Sequence, residues 1–341
     1  MKIALDAMGG DYGPACLVQG ARMALSAEPE LEVLLVGDTK TIEDCIRKDG
    51  AMPQGRYEIV QASQTVQMDT SAREALRLKD SSISVGSRVV KEGRATALVS
   101  AGNTAAASGV MLVTWRQLPG IHRPAIASHM PTRTGHCILL DMGGTVDCKP
   151  RNLVHFAIMG NVYAREVSGI QNPRIGILSV GEEPSKGNEV TRETYELLKQ
   201  AQHLNFKGNA EGRDILSGQF DVVVTDGFIG NVVLKFAESL AMMMMDEFKK
   251  MLSANPLTAL LGLLLKPQAR ALKKRIDYAE YGGAPLLGLN HYCIICHGRS
   301  SSLAICNALK AARKFAAHDV NIHIQKDLEI NKHILSSNSN K

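Results

Sequence analysis

Aromatic residues make up only 4% of this 341-residue chain, and tryptophan occurs once. Proteins that hold unstacked bases use aromatic faces as platforms, so no nucleic-acid partner is expected. The charge excess is mild as well: 39 basic residues against 34 acidic ones leave +5, which demands no polyanionic partner. The seven cysteines are odd in number and without regular spacing, so they form no disulfide framework and a reducing compartment is expected. No apolar run approaches the ~20 residues of a membrane-spanning helix; the longest, 257–265, is interrupted by Thr258 and Gly262. The chain starts on a strand, Lys2-Ile3-Ala4-Leu5-Asp6, and not on the basic and then apolar pattern of a secretory leader. Four chemical signatures are missing too. There is no G-x-x-x-x-G-K-[ST], no G-x-S-x-G and no H-E-x-x-H, and Gly9-Gly10-Asp11-Tyr12-Gly13-Pro14 does not fit G-x-G-x-x-G.

What is present is alternation. Short β-branched runs that end in Gly, Asp or Ser lead into helical stretches, the pattern of an α/β fold with a largely parallel sheet. Strands are predicted at 3–8, 33–37, 57–60, 97–100, 138–142, 175–180, 222–226 and 292–297. Hydrophobic residues are 45% of the chain, enough for a sizeable core. No linker divides the chain and no repeat recurs, so residues 1–335 read as a single large domain. The segment 254–284 breaks the composition and reads as a helical insertion, and 336–341 reads as a frayed tail.

Ligands of open α/β sheets bind beyond the carboxyl ends of strands, and five of those ends share glycine with a small polar side chain. They are Asp6-Ala7-Met8-Gly9-Gly10-Asp11, Ser100-Ala101-Gly102-Asn103-Thr104, Asp141-Met142-Gly143-Gly144-Thr145-Val146-Asp147, Val180-Gly181-Glu182-Glu183-Pro184-Ser185-Lys186-Gly187-Asn188 and Thr225-Asp226-Gly227-Phe228-Ile229-Gly230-Asn231. Taken singly, each is explained by ordinary helix capping. Taken together, on one edge of the sheet, they predict an oxyanion site built from backbone N–H groups and helix N-termini, with Lys186 as a mobile cation. His297 ends a strand beside Gly298 and is a further candidate, whereas Cys293 and Cys296 read as core. Carboxylates at Asp6, Asp11, Asp141, Asp147 and Asp226 could suggest a metal, but capping and backbone hydrogen bonding explain them, and neither metal nor cofactor is expected. Leu260, Leu261 and Leu264 followed by Lys266, Lys273 and Lys274 suit either an anchor on an anionic membrane surface or a dimer helix with a basic face. The methionine run 242–245 reads as flexible core or interface packing.

These motifs, with Phe156-Ala157-Ile158-Met159-Gly160, Tyr281-Gly282-Gly283-Ala284 and His297-Gly298, resemble in order and nearly end to end the phosphate acyltransferase family, the acyl-ACP:phosphate transacylases of bacterial phospholipid synthesis. The resemblance implies a three-layer α/β/α sandwich with a mostly parallel Rossmann-like sheet, related to phosphotransacetylases and isocitrate dehydrogenase-like folds. It implies conversion of long-chain acyl-ACP and inorganic phosphate to acyl phosphate and free acyl carrier protein by a cytoplasmic, peripherally membrane-associated homodimer. A downstream glycerol-3-phosphate acyltransferase would be a further partner. By the same resemblance Lys186 and Asn231 serve phosphate binding or catalysis; on its own chemistry His297 is a weaker candidate for acid/base or hydrogen-bond help. The substrate-binding set expected is Asp6, Gly9, Gly10, Gly102, Asn103, Thr104, Gly143, Asp226, Gly227 and Gly230. Two departures from the family stand out: Thr145 in a turn usually Val-Gly-Ala-Asn-Val-Asp, and Ile229 in one usually Gly-Phe-Thr-Gly-Asn. An isocitrate-type nicotinamide dehydrogenase and a non-catalytic membrane scaffold are the rival readings.

Overall fold

The computed structural model describes residues 1–256, 258, 260, 262, 264–269 and 282–336. Its strands are β1 (Lys2–Asp6), β2 (Glu32–Gly37), β3 (Tyr57–Gln61), β4 (Ala97–Ser100), β5 (Ala125–Pro131), β6 (His136–Leu140), β7 (Arg174–Leu178), β8 (Asn205–Ala210), β9 (Val222–Val224), β10 (Ala284–Leu287) and β11 (Tyr292–Ile295). The named helices are α1 (Gly13–Ala27), α2 (Thr39–Asp49), α3 (Ala72–Ala75), α4 (Ser82–Lys91), α5 (Thr104–Trp115), α6 (Pro150–Glu166), α7 (Glu189–Leu198), α8 (Gly227–Ser253), α9 (Ser302–Ala317), α10 (Val320–Ile330) and α11 (Lys332–Ser336).

All eleven strands join one sheet in the order β3-β2-β1-β4-β11-β10-β5-β6-β9-β7-β8. Successive strand residues point to opposite faces, so Ile3 and Leu5 join one apolar core with α1, α6 and α9. Ala4 joins the other, with α4 and α5. A core on each face of the sheet is the expected three-layer sandwich. Strand interiors such as Val222, Val223 and Val224 are fully buried, which is why they read as unbroken apolar runs.

Most pairings are parallel, but three are not: β11 with β10, β10 with β5, and β5 with β6. Three reversals in a row turn β6, β9, β7 and β8 against the direction of β3, β2, β1, β4 and β11. The five glycine turns therefore do not converge on one edge as the sequence suggested. Those after β1 and β4 end strands directed against β6, β7 and β9, and the staggered pairing of β10, β5 and β6 (Leu286 with Ile126, Ala127 with Leu140) brings the β4 turn to the β6 and β9 turns at the seam between the two halves. The β10–β11 hairpin joins the two halves, β11 pairing with β4 and β10 with β5.

β5, β8 and β10 were not predicted. β10 contains Pro285, β5 ends in Pro131, and β8 is an edge strand carrying Asn205, Gly208 and Asn209. All are residue types depleted from strands because they donate no ladder hydrogen bond or pack poorly on a pleated surface.

α8 is held at its start by Asp226, whose Oδ1 accepts from Ile229 N at 2.8 Å. Of its 27 residues only Gly227 and Gly230 are fully buried, while Val233, Leu234 and Ala237 pack on the core. Its other side exposes Phe228, Val232 and Phe236, the last at 68%. Met242, Met243 and Met244 are exposed, so within one chain they are not core. Among the described residues α8 is the one helix long and apolar enough to cross a membrane, yet its first turns carry polar residues that face a cavity, as shown below. In the insertion, Leu260, Leu264 and Lys266 are helical and exposed, whereas Leu261, Lys273 and Lys274 lie outside the described residues, as does the tail from 337.

Candidate active site

Two buried carboxylates shape the turns. At the end of β1, Asp6 Oδ2 accepts the Ser100 hydroxyl at 2.7 Å and Oδ1 accepts Met8 N at 3.2 Å. A Cβ at Gly9 would come within 2.8 Å of both Asp6 Oδ2 and Gly102 N, so the β1 and β4 turns cross at van der Waals limits. At the end of β6, Asp141 Oδ1 accepts Ile126 N at 2.8 Å and Gly144 N at 3.0 Å, and Oδ2 accepts Thr145 N. The start of α8 is pressed onto that turn: a Cβ on Gly230 would sit 1.8 Å from the Asp141 carbonyl oxygen, and one on Gly227 2.6 Å from the Thr145 carbonyl oxygen.

Burial raises the pKa of Asp6 and pushes Asp141 up to about 6, against the hydrogen bonds that favour the carboxylates. A folded-state carboxyl that keeps its proton to pH about 6, where an unfolded one loses it near 4, makes stability fall as pH rises between those values. The cost above that window is on the order of 3 kcal/mol. Denaturant titrations from pH 4 to 7 should show this fall in the wild type and lose it in Asp141→Asn; parallel profiles would refute the assignment.

The cavity that these turns frame holds about 370 Å³ and sits at the seam between the two halves. One half contributes Thr104 and Ala105, at the N-terminus of α5, and His297 after β11. The other contributes Gly143 after β6 and Asn231 on α8, with Ser128 and His129 of β5 between them. α8 presents Asn231, Leu234, Lys235 and Glu238 to this space, a set at i, i+3, i+4 and i+7 that shares one helix face.

Each polar group here has a definable state. The Asn231 side-chain amide has no hydrogen-bond partner among the described residues and lies against Gly143, where a Cβ would be 3.6 Å from Asn231 Cγ. His297 Nδ1 accepts from Arg299 N at 3.1 Å, which places the proton of the neutral ring on Nε2. Burial raises the pKa of Glu238, countered by the charges of His297 and Lys235. Burial also pushes His129 down to about 3, so that its imidazole is neutral.

Of the expected residues, Thr104, Gly143, Asn231 and His297 come together in the cavity lining. Asp6, Gly9, Gly10, Gly102, Asp226, Gly227 and Gly230 do not line it; they hold the turns that do. Asn103 is a correction of role. Its Oδ1 caps α5 through Ala106 N at 2.9 Å, and its Nδ2 donates to Met68 O at 2.7 Å and Thr70 O at 2.9 Å, so the side chain is fully engaged in structure. Lys186 stands exposed in the loop after β7, outside the cavity lining.

Cys293 and Cys296 are buried, and burial drives the Cys296 thiol up to about 12, in keeping with the core reading. The two departures also lie off the lining: Thr145 donates its hydroxyl to Pro124 O at 3.2 Å, and Ile229 is 39% exposed. Missed in the sequence were Lys235 and Glu238, although their spacing from Asn231 on an evident helix was a usable signal. Ser128 and His129 were missed because β5 itself was.

The sequence profile of a family described as "Fatty acid synthesis protein" matches residues 1–323. The chain is 50% identical over 315 residues to a phosphate acyltransferase of Heliobacterium modesticaldum, covering 92% of this chain and 93% of that one. It is 45% identical over 329 residues to a phosphate acyltransferase of Thermodesulfovibrio yellowstonii, covering 96% and 94%. Among solved structures, a phosphotransacetylase from Streptococcus pyogenes superposes with a TM-score of 0.62 at 19% identity, covering 92% of this chain and 94% of that one. A 4-hydroxythreonine-4-phosphate dehydrogenase from Klebsiella pneumoniae reaches 0.51 at 14% identity, covering 93% and 99%. Those two likenesses establish the fold, and the near-half identity sustained along almost the whole chain establishes the rest: this protein belongs to the phosphate acyltransferase family of fatty acid synthesis proteins.

Proposed function

We propose that the protein transfers an acyl group from the thioester of acyl carrier protein to inorganic phosphate, and that the seam cavity is where this happens. The observation that carries the reading is Asn231: an amide without a partner among the described residues, in a cavity that also holds a lysine, a histidine and a helix N-terminus. Phosphate is itself a nucleophile, so no covalent Ser or Cys intermediate is needed. A phosphate oxygen attacks the thioester carbonyl carbon, the tetrahedral oxyanion collapses, and the C–S bond breaks. Hydrogen phosphate gives up its proton and the departing thiolate gains one, leaving acyl phosphate and free carrier thiol.

Lys235 and the α5 N-terminus supply positive potential for phosphate. The Asn231 amide and the His297 Nε2–H are donors for charge that develops on the carbonyl oxygen or the sulfur. Lys186, assigned to phosphate by family resemblance, would act from outside this lining. Incubation with acyl-ACP and phosphate should yield acyl phosphate, and Lys235→Ala should raise KM for phosphate about tenfold. No acyl phosphate would refute the activity. If instead Lys186→Ala alone raises that KM, the phosphate cation belongs to the β7 loop.

The remaining proposals concern surroundings. The exposed Leu260 and Leu264 and the exposed side of α8 support a homodimer working at an anionic membrane surface in the cytoplasm, passing acyl phosphate to a glycerol-3-phosphate acyltransferase. Leu260→Glu with Leu264→Glu should release the protein from anionic vesicles, because a carboxylate on that face must be desolvated or repelled. Co-sedimentation beside a sizing column decides: dimer lost with vesicle binding kept would make this segment a subunit interface instead.

A further inference from the structure

The seam cavity, at about 370 Å³, is small for a long-chain acyl substrate. At roughly 30 Å³ for each water-sized group it holds about a dozen non-hydrogen atoms, of which phosphate and the thioester group take about eight. Its floor is apolar and buried: Ile126 of β5, Met142 after β6, Ile295 of β11 and Cys296 beside it are between 3% and 5% exposed. That floor takes the first few carbons of an acyl chain. The remainder of a long chain needs apolar surface outside.

Such surface continues from the cavity along α8. Asn231, Leu234, Lys235 and Glu238 face the cavity, and steps of four and seven residues from Glu238 reach Met242 and Met245 on the same helix face. Met242 is exposed and Met245 half-buried. Met243 and Met244 are exposed too, but stand about a third of a turn to either side of that face. Two polar side chains lie on the way: Lys235 has an apolar stem, and Glu238 is half-buried, with its pKa raised by burial. The stretch from Leu234 to Met245 is roughly 16 Å long. Beyond it the insertion packs back on α8, where a Cβ on Gly262 would lie 3.3 Å from Leu252 Cβ, and carries the exposed Leu260 and Leu264.

We propose that Met242 and Met245 form a track for the acyl chain: the cavity floor seats the carbons next to the thioester, and the rest of a long chain lies along this face of α8 towards the insertion. Resting on the acyl transfer proposed above, this makes α8 a determinant of chain length. A short chain ends inside the cavity and never meets the methionines. A long one is held by them, because its apolar surface leaves water there, and unbranched thioether side chains adapt to a flexible chain without a rigid pocket.

The test compares hexadecanoyl-ACP with butanoyl-ACP at saturating phosphate and without lipid, reading kcat/KM for each. Met242→Gln with Met245→Gln keeps similar side-chain length and helix propensity but makes the track polar. The ratio of hexadecanoyl to butanoyl kcat/KM should fall about tenfold, through the long chain alone. Met243→Gln with Met244→Gln, the same chemistry at the wrong helix phase, should keep the wild-type ratio. An unchanged ratio in the first pair, an equal fall for both substrates, or the same change in the second pair would overturn the track. So would a dimer that dissociates on a sizing column with the first pair only, which would give this face to a second copy of the chain. A wild type inert towards both thioesters would instead refute the acyl transfer itself.

Discussion

Gly230→Ala is expected to lose both stability and activity, more than any other single methyl addition in the cavity region. The added Cβ would lie 1.8 Å from the Asp141 carbonyl oxygen, and that oxygen belongs to backbone pinned by hydrogen bonds of the Asp141 carboxylate to Ile126, Gly144 and Thr145. No rotamer change relieves a clash between two backbones, so α8 must shift away from β6. Overpacking of this kind costs about 3 kcal/mol. The shift also displaces Asn231, the next residue, and a misplacement near 1 Å costs roughly a hundredfold in rate. Thermal melting together with kcat/KM checks this; a variant that melts and turns over like the wild type would show that the α8 start is not seated on the Asp141 turn.

Asn231→Ala should separate the two quantities that Gly230→Ala joins. The Asn231 amide gives up no partner among the described residues when removed, so stability should hold within about 0.5 kcal/mol. If it meets the oxyanion of acyl transfer, kcat should fall by a factor on the order of 10² to 10³. Asn231→Asp, which replaces a donor with a negative charge at nearly constant shape, should be at least as impaired. A large drop in melting temperature with kcat intact would make Asn231 structural and remove the observation on which the proposed chemistry rests.

The elements of this fold are unevenly legible in the sequence, and the pattern has a physical cause. Strands buried on both faces, such as Val222 to Val224, announce themselves because nothing polar is tolerated there. β10, with Pro285, and β5, with Ser128 and His129, carry no such signature, and they are the strands on which the sheet reverses direction. Without them the sequence does not show that the β1 and β4 turns and the β6, β7 and β9 turns belong to oppositely directed halves that meet at a seam. The turn residues were found, yet a turn motif does not say whether its polar side chain faces a ligand or the backbone: Asn103 and Asp226 cap helices, while Asn231, in a similar setting, faces the cavity. Lys186 stood out because it sits in a glycine turn. Lys235 did not, because within a helix only its phase relative to Asn231 marks it.

The β10–β11 hairpin has a further consequence for how the molecule comes into being. Residues 2–100 supply β1 to β4, and residues 125–224 supply β5 to β9, each a set of strands that pair among themselves. Until residues 284–295 leave the ribosome, β4 and β5 each present an unpaired edge, the kind of surface that invites wrong pairing. The hairpin then fills the gap between them and brings His297 to the cavity in the same event. A chain truncated before it would lack His297 and the hairpin's share of the cavity lining as well as the strands that join β4 to β5, so the competence to react arrives with the closing of the sheet and not before.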